Sequence, residues 1–263
     1  MYKLLLTAFL SLLALTLATP GMADSSDLTL VSAINKAGRQ RMLSQRIVKS
    51  YAAIGLDIHP IASRKQLREA VNEFDSNLDA LKVFFVPTPA IRTALDEVGQ
   101  LWAPYREVAL APITKAGAQR LLEQDAKLLA AAEKVVRLYQ SYAGYSFGRL
   151  VNLSGRQRML SQRITKLHFL RVWGIGVPEL ASEMKKARDE FEKAFWELEI
   201  APQNNYEINR ELEDAATQWN WFTSAIDQEG DPRAYILVVN DAAESLLSNM
   251  DFLTSLYEAE ANR

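Results

Sequence analysis

The sequence contains one stretch of ten residues twice. Gly-Arg-Gln-Arg-Met-Leu-Ser-Gln-Arg-Ile occupies 38–47 and returns without change at 155–164, an offset of 117 positions. The same offset aligns Asn35 with Asn152, Lys49 with Lys166, Glu73-Phe74 with Glu190-Phe191, Leu95 with Leu212 and Trp102 with Trp219. A shift of one residue then brings Leu138-Tyr139 onto Leu256-Tyr257. Whatever the unit folds into, the chain must build it twice, and a period this long is that of a small domain and not of a solenoid turn. The organisation expected is a first unit over residues 24–144 and a second over 145–263.

Each unit reads as four helices, expected near 28–54, 61–85, 88–110 and 115–142, then 146–173, 178–200, 206–229 and 232–260. Apolar residues recur three and four apart, as in Leu67, Val71, Phe74, Leu78 and Leu81, and no stretch alternates as a strand would. The breaks carry helix-ending residues: Gly55, His59-Pro60, Val86-Pro87-Thr88-Pro89, Gly174, Gly176-Val177-Pro178, Ala201-Pro202 and Gly230-Asp231-Pro232. At about 1.5 Å per residue such helices are roughly 35–40 Å long, which suits an antiparallel bundle. The fold class expected is all-α, two tandem antiparallel four-helix bundles after a signal peptide. Between the units stand Gly144 and Gly148. They allow a tight turn that lays the bundles side by side. They equally allow a helix running through, at about 1 kcal/mol per isolated glycine, which places the bundles end to end.

The first 23 residues have another character. Lys3 precedes an apolar run from Leu4 to Ala18, followed by Pro20, Gly21, Met22 and Ala23, the pattern of a secretory signal peptide cut after Ala23. The run is short for a bilayer span, which takes roughly 20 residues. The mature chain is expected in the periplasm. There is no cysteine, so neither a disulfide nor a lipid-bearing thiol contributes. A net charge of −2 gives no basic face for nucleic acid.

Placed on a helical wheel, the first copy of the repeated stretch has two buried-looking faces. Ala33, Leu43, Ile47, Tyr51 and Ile54 form the core side of a bundle helix. Asn35, Gly38, Met42, Gln45, Arg46 and Lys49 gather on another side, with Arg41 at its border. In the second copy Asn152, Gly155, Met159, Gln162, Arg163, Lys166 and Arg158 repeat this arrangement. Glycine permits close approach, methionine fills irregular gaps, and guanidinium presents planar paired donors suited to planar oxyanions. A plain solvated face would drift between copies as its neighbours have: Lys36 against Leu153, Val48 against Thr165, Ser50 against Leu167. Recent local duplication or gene conversion could also leave ten identical residues, but both flanks have diverged. Two other readings account for the identity. The face is a helix–helix interface whose arginines bridge to carboxylates or helix ends, or its arginines converge on a small anion.

The stretch Asn35-Lys-Ala-Gly-Arg-Gln-Arg-Met-Leu-Ser-Gln-Arg46 and its copy Asn152-Leu-Ser-Gly-Arg-Gln-Arg-Met-Leu-Ser-Gln-Arg163 resemble the PilJ/NarX-type N-terminal sensor domain. That module forms the periplasmic part of nitrate/nitrite sensor kinases and of some chemoreceptors, and the GRQRMLSQR form is closer to the PilJ branch. The resemblance implies a four-helix bundle with the motif on its first helix. In nitrate-sensing members two first helices pair across a dimer axis, and one arginine from each holds a nitrate. By position those arginines are Arg41 and Arg158. Arg46, Arg163, Asn35, Asn152, Gly38 and Gly155 match the remaining motif positions and complete the expected ligand-binding set. Were the chain to turn between its halves, the two first helices would lie parallel and Arg41 would face Arg158, an intrachain counterpart of the sensor dimer. A homodimer is the other arrangement the resemblance allows.

The remaining chemistry is sparse. His59 and His168 are the only histidines, and neither has a partner at metal-ligand spacing. No nucleophile elbow or phosphate-binding glycine loop occurs. Asp75, Asp79, Asp125, Glu190 and Glu192 read as solvated helix faces, with room for one to balance a motif arginine. Trp102, Trp219 and Trp221 read as core or bundle-end packing. The function expected is a non-enzymatic, cofactor-free periplasmic binding protein that takes nitrate or nitrite and acts with a membrane receptor or sensor kinase. The other reading is a ligand-free module that docks through the motif face on a chemoreceptor, sensor kinase or pilus-associated apparatus.

Overall fold

The computed structural model describes residues 28–84, 88–143, 147–176, 178–231 and 233–262. The signal-peptide reading of residues 1–23, Val86-Pro87, Gly144, Val177 and Pro232 lie outside them. Eight helices and no strand occur among the described residues, as expected for an all-α chain. They are α1 (Leu30–Gly55), α2 (Pro60–Val83), α3 (Pro89–Leu110), α4 (Lys115–Ala143), α5 (Phe147–Val172), α6 (Leu180–Glu199), α7 (Tyr206–Ile226) and α8 (Ile236–Ala261).

The local sequence sets the starts and stops. Thr29 and Asn205 cap α1 and α7 by accepting from the backbone N–H groups of Ser32 and Ile208. Pro60 and Pro89 occupy first-turn positions, where a missing N–H costs nothing. The last two boundaries differ from expectation. α7 ends at Ile226 and not near 229, and α8 begins at Ile236 and not at 232. Gly230 sits at φ +108, and Asp231 draws the following chain into a turn through its side chain (Arg233 N to Oδ1, 2.9 Å) and its carbonyl (Ala234 N, 2.9 Å). These turns take up the residues that the apolar spacing had assigned to helix.

Helices α1–α4 pack as a ring in the order α2, α1, α4, α3, and α5–α8 repeat it as α6, α5, α8, α7, which is consistent with two helical bundles. The cores correspond in detail. Phe74 stacks on Trp102 with ring centroids 3.8 Å apart, and Phe191 stacks on Trp219 at 3.9 Å. Such pairs contribute roughly 0.5–1.5 kcal/mol beyond burial. Trp221 departs from expectation: it is 69% exposed, because two residues along a helix turn it about 200° away from buried Trp219.

The two halves meet along α1 and α5, which share the most extensive helix–helix contact in the chain. Their direction follows from side-chain pairs. Arg41 and Gln45 of α1 reach Glu133 and Asp125 of α4, and Asn152 and Lys166 of α5 reach Gln140 and Asp125. Both helices therefore run antiparallel to α4 and parallel to each other. The halves lie side by side, α4 passes over both first helices, and α8 does the same on the far side through Glu258, Asp251 and Glu244.

Candidate functional site

The apolar face of α1 packs into its own bundle and its polar face packs against α5. From Ala37 to Ile54 only Arg39 and Arg46 escape full burial. Many of the repeated residues have the same task in both copies. The amides of Gln40 and Gln157 donate to the carbonyls of Phe74 and Phe191, at 3.1 and 3.0 Å. The hydroxyls of Ser44 and Ser161 donate to the carbonyls of Arg41 and Arg158. Met42, Leu43 and Ile47, with Met159, Leu160 and Ile164, are core. Arg39 and Arg156 sit at the flank on Glu73 and Glu190 and reach across to Asp251 and Glu133.

Arg41 and Arg158 lie at the centre, 0% and 1% exposed. Arg41 Nη1 donates to Glu133 Oε2 (2.5 Å) and Nη2 to Asn152 Oδ1 (2.7 Å). Arg158 mirrors it, with Nη1 on Asp251 Oδ1 (2.8 Å) and Nη2 on Asn35 Oδ1 (2.6 Å). The asparagine of each copy therefore holds the arginine of the other. A methyl group built on Gly38 would lie 3.3 Å from Arg41 Nη2 and 3.8 Å from Arg158 Nη2, so both guanidinium groups converge on this point. On Gly155 it would lie 3.1 Å from Arg158 Nη2. The two glycines thus clear space for guanidinium groups and not, as their sequence position implied, for a neighbouring backbone.

The electrostatics follow from burial. Desolvation pulls both guanidinium groups below their ordinary value, while Glu133 and Asp251 pull them back. The charge of Arg41 lowers Arg158 further, as two like charges held close should. Burial pushes Glu133 up, but Arg41 and Arg156 outweigh it and hold the carboxyl below its ordinary value. One donor on each arginine is left over: neither Arg41 Nε nor Arg158 Nε has a hydrogen-bond partner, and both are buried. Unpaired buried donors on cationic groups are uncommon.

Among the expected site residues, Arg41, Arg158, Asn35, Asn152, Gly38 and Gly155 come together. Arg46 and Arg163 do not join them. They lie further along the helices, where Arg46 makes a forked pair with Glu244 and touches Gln162, and Arg163 donates to Glu183. Asp125, read as solvated, is 4% exposed and accepts from Gln45 (2.7 Å) and Lys166 (2.6 Å). It balances a lysine and not an arginine. Glu133 and Asp251, the carboxylates that answer the central arginines, were not singled out from sequence. The signal was present, since the one-residue shift that aligns Leu138-Tyr139 also places Glu133 opposite Asp251.

Among the described residues no group of three or more His, Cys, Asp or Glu side chains is placed to hold a metal ion. His168 is buried with both ring nitrogens unpartnered, and desolvation followed by the charge of Arg171 lowers its pKa to about 4. It is a neutral core residue. No helix among the described residues is long and apolar enough to cross a membrane.

Residues 26–134 match the family model described as "Type IV pili methyl-accepting chemotaxis transducer N-term" (PilJ). The similarity to a PilJ-type N-terminal domain thus covers the first half, with Arg41 inside the matched span and Arg158 beyond it. No curated protein and no solved structure matches the chain.

Proposed function

We propose that this chain is an exported sensor-type binding protein in which both halves are PilJ-type units, paired through their first helices within one polypeptide. In this reading a small planar oxyanion, nitrate or nitrite first, binds between Arg41 and Arg158, and the occupied protein acts with a membrane receptor or sensor kinase. The boundary between the units falls near residue 144.

The observation that carries the reading is the pair of buried guanidinium groups converging beside Gly38, each with an unpartnered Nε–H. Asn35 and Asn152 supply neutral oxygens to the two Nη2 groups. An oxyanion would replace those oxygens and also take the Nε donors, gaining charge-assisted hydrogen bonds in a site closed to water. Glu133 and Asp251 already neutralise the two arginines, so binding is coupled to a shift of the asparagines and a loosening of the carboxylates. That coupling gives the ligand a mechanical consequence, because Glu133 and Asp251 belong to α4 and α8, which pass over both halves.

The alternative in which the motif face docks on an external protein finds no support, since this face is covered by the chain's own α5. A partner would meet another surface, and Trp196, Trp221 and Tyr206 of α6 and α7 are among the large apolar side chains exposed there.

A thermal-shift series tests the proposal. Nitrate or nitrite should raise the melting temperature through ordinary linkage, and Arg41→Lys/Arg158→Lys, which keeps the charges but not the planar donors, should abolish the shift. Stabilisation no greater than that given by equal concentrations of chloride or sulfate would exclude the oxyanion site.

A further inference from the structure

The identical stretches do not have identical neighbours further along. With the one-residue shift, Ala126 of α4 occupies the place that Glu244 holds in α8. Glu244 is the hub of the first half's flank: Arg46 donates to it at 3.1 and 2.7 Å, Gln66 at 3.2 Å, and Lys49 also bonds to it. The counterparts of those donors in the second half are Arg163, Lys166 and Glu183. They line a cavity of about 370 Å³ between α4, α5 and α6, with Ala126 in its wall. At the position from which Glu244 answers Arg46 and Lys49, the other half has Ala126 and open space.

The donors around that space have partly regrouped. Lys166 has turned inward to Asp125 and Gln45. Arg163 makes one hydrogen bond, from Nη2 to Glu183, where Arg46 makes a fork with Glu244. Two further changes define what would fit. Gln66, a donor, becomes Glu183, and Ala62 becomes Glu179 at the same rim, so negative charge is added beside the vacated carboxylate position. Ser63 becomes Leu180, which joins Leu129, Met159 and Leu167 in an apolar wall. The volume lies within the range of small-molecule sites.

We infer that the cavity between α4, α5 and α6 binds a free α-amino acid with an apolar side chain. Its carboxylate takes the position of the Glu244 carboxylate and accepts from Arg163 and Lys166. Its ammonium faces Glu183 and Glu179, and its side chain lies against Leu129, Met159 and Leu180. Recognition needs both charges: the carboxylate for the two cations, and the ammonium for the carboxylates that replaced Gln66 and Ala62. Glu133, the partner of Arg41, borders this cavity, but neither Arg41 nor Arg158 lines it, and the experiment below reads amino-acid binding without reference to any oxyanion.

Calorimetric titration of the whole protein tests this with L-leucine, L-methionine and L-phenylalanine, and with 4-methylpentanoate and 3-methylbutylamine as analogues lacking the ammonium or the carboxylate. At least one amino acid should bind saturably at millimolar concentration or below, and each analogue should be weaker by about tenfold or more. Ala126→Glu should abolish binding, because it rebuilds the side chain that fills the corresponding space in the other half. Arg163→Gln, at a partly exposed position, should weaken binding comparably and serves as the second variant should Ala126→Glu misfold. Arg41→Lys/Arg158→Lys should leave amino-acid binding intact. The inference is overturned if none of the three amino acids binds, if a single-charge analogue binds equally well, or if a folded Ala126→Glu or Arg163→Gln protein binds as the wild type does.

Discussion

Replacing Glu133 by glutamine removes one charge and keeps the shape of the side chain. Arg41 then holds a full positive charge at 0% exposure, with the Asn152 oxygens and a neutral amide as its acceptors. Breaking a buried pair from one side costs about 3–5 kcal/mol, because the remaining ion keeps its desolvation penalty without its partner. The Glu133 side chain is 19% exposed, so water relieves part of this, and the lower end, about 3 kcal/mol, is expected. Asp251→Asn should cost less, about 2 kcal/mol, since the Asp251 carboxylate is 32% exposed while Arg158 is as buried as Arg41. Glu97→Gln is the control. Its pair with Lys134 is 46% and 54% exposed, and its loss should cost under about 1 kcal/mol. Urea unfolding followed by helical circular dichroism reads all three as a falling midpoint at constant slope. A Glu133→Gln midpoint that moves no further than that of Glu97→Gln would refute the claim that the central arginine depends on this carboxylate. Nitrate should also stabilise Glu133→Gln more than it stabilises the wild type, because the variant removes the negative charge with which an anion competes.

Three further outcomes follow from single contacts. His168 is neutral in the fold with a pKa lowered from 6.5 to about 4, so the unfolded chain binds its proton first as pH falls; about 2 kcal/mol of stability should be lost between about pH 8 and pH 5, and His168→Phe should abolish that loss. Glu133 and Glu244 are held below the ordinary carboxylate value and lose their contribution only at lower pH, so unfolding midpoints in this window read chiefly the histidine. Gly55→Ala should destabilise by about 1–3 kcal/mol in the same assay, because a methyl group there would meet the Trp173 ring at 2.1 Å, where the end of α1 closes on the other half. Asp125→Leu should cost about 3 kcal/mol or more by stranding Lys166, and adding Lys166→Met should recover most of it, which a double-mutant cycle measures as coupling between the two sites.

The elements most legible in the sequence were those set by local periodicity. Leu67, Val71, Phe74, Leu78 and Leu81 mark one face of α2 by spacing alone, and all five are buried. The repeat fixed the twofold plan, and the wheel separated the core face of α1 from a second face that is also covered. What covers it was not legible. The partners of Arg41 and Arg158 come from α4 and α8, about ninety positions away, and no spacing rule links positions whose approach depends on one helix leaning across two others. The role of Gly38 was misread as well, since the group nearest its missing side chain is the guanidinium of Arg41 one turn along the same helix, with that of Arg158 behind it. Trp221 failed because spacing assigns an aromatic residue to a core only when its face is known.

Duplication has a consequence that a paired single bundle lacks. Two identical subunits must place the same residue at both equivalent positions around their axis. Here the centre has kept that equality, with asparagine, glycine and arginine matched in both copies, while the flank has given it up. Asp125 answers Lys166 and Gln45 where the second half has Ala243, and Glu244 answers Lys49 and Arg46 where the first half has Ala126. Each carboxylate has moved one position along its helix relative to the other, which turns it about 100°. The turn takes it from the buried interior at Asp125 to the partly exposed rim at Glu244. A symmetric dimer could not carry both solutions. One chain can, and the residual cost is visible at the site left without its answer: the amide nitrogen of Gln162, counterpart of the one that Gln45 gives to Asp125, is buried without a partner.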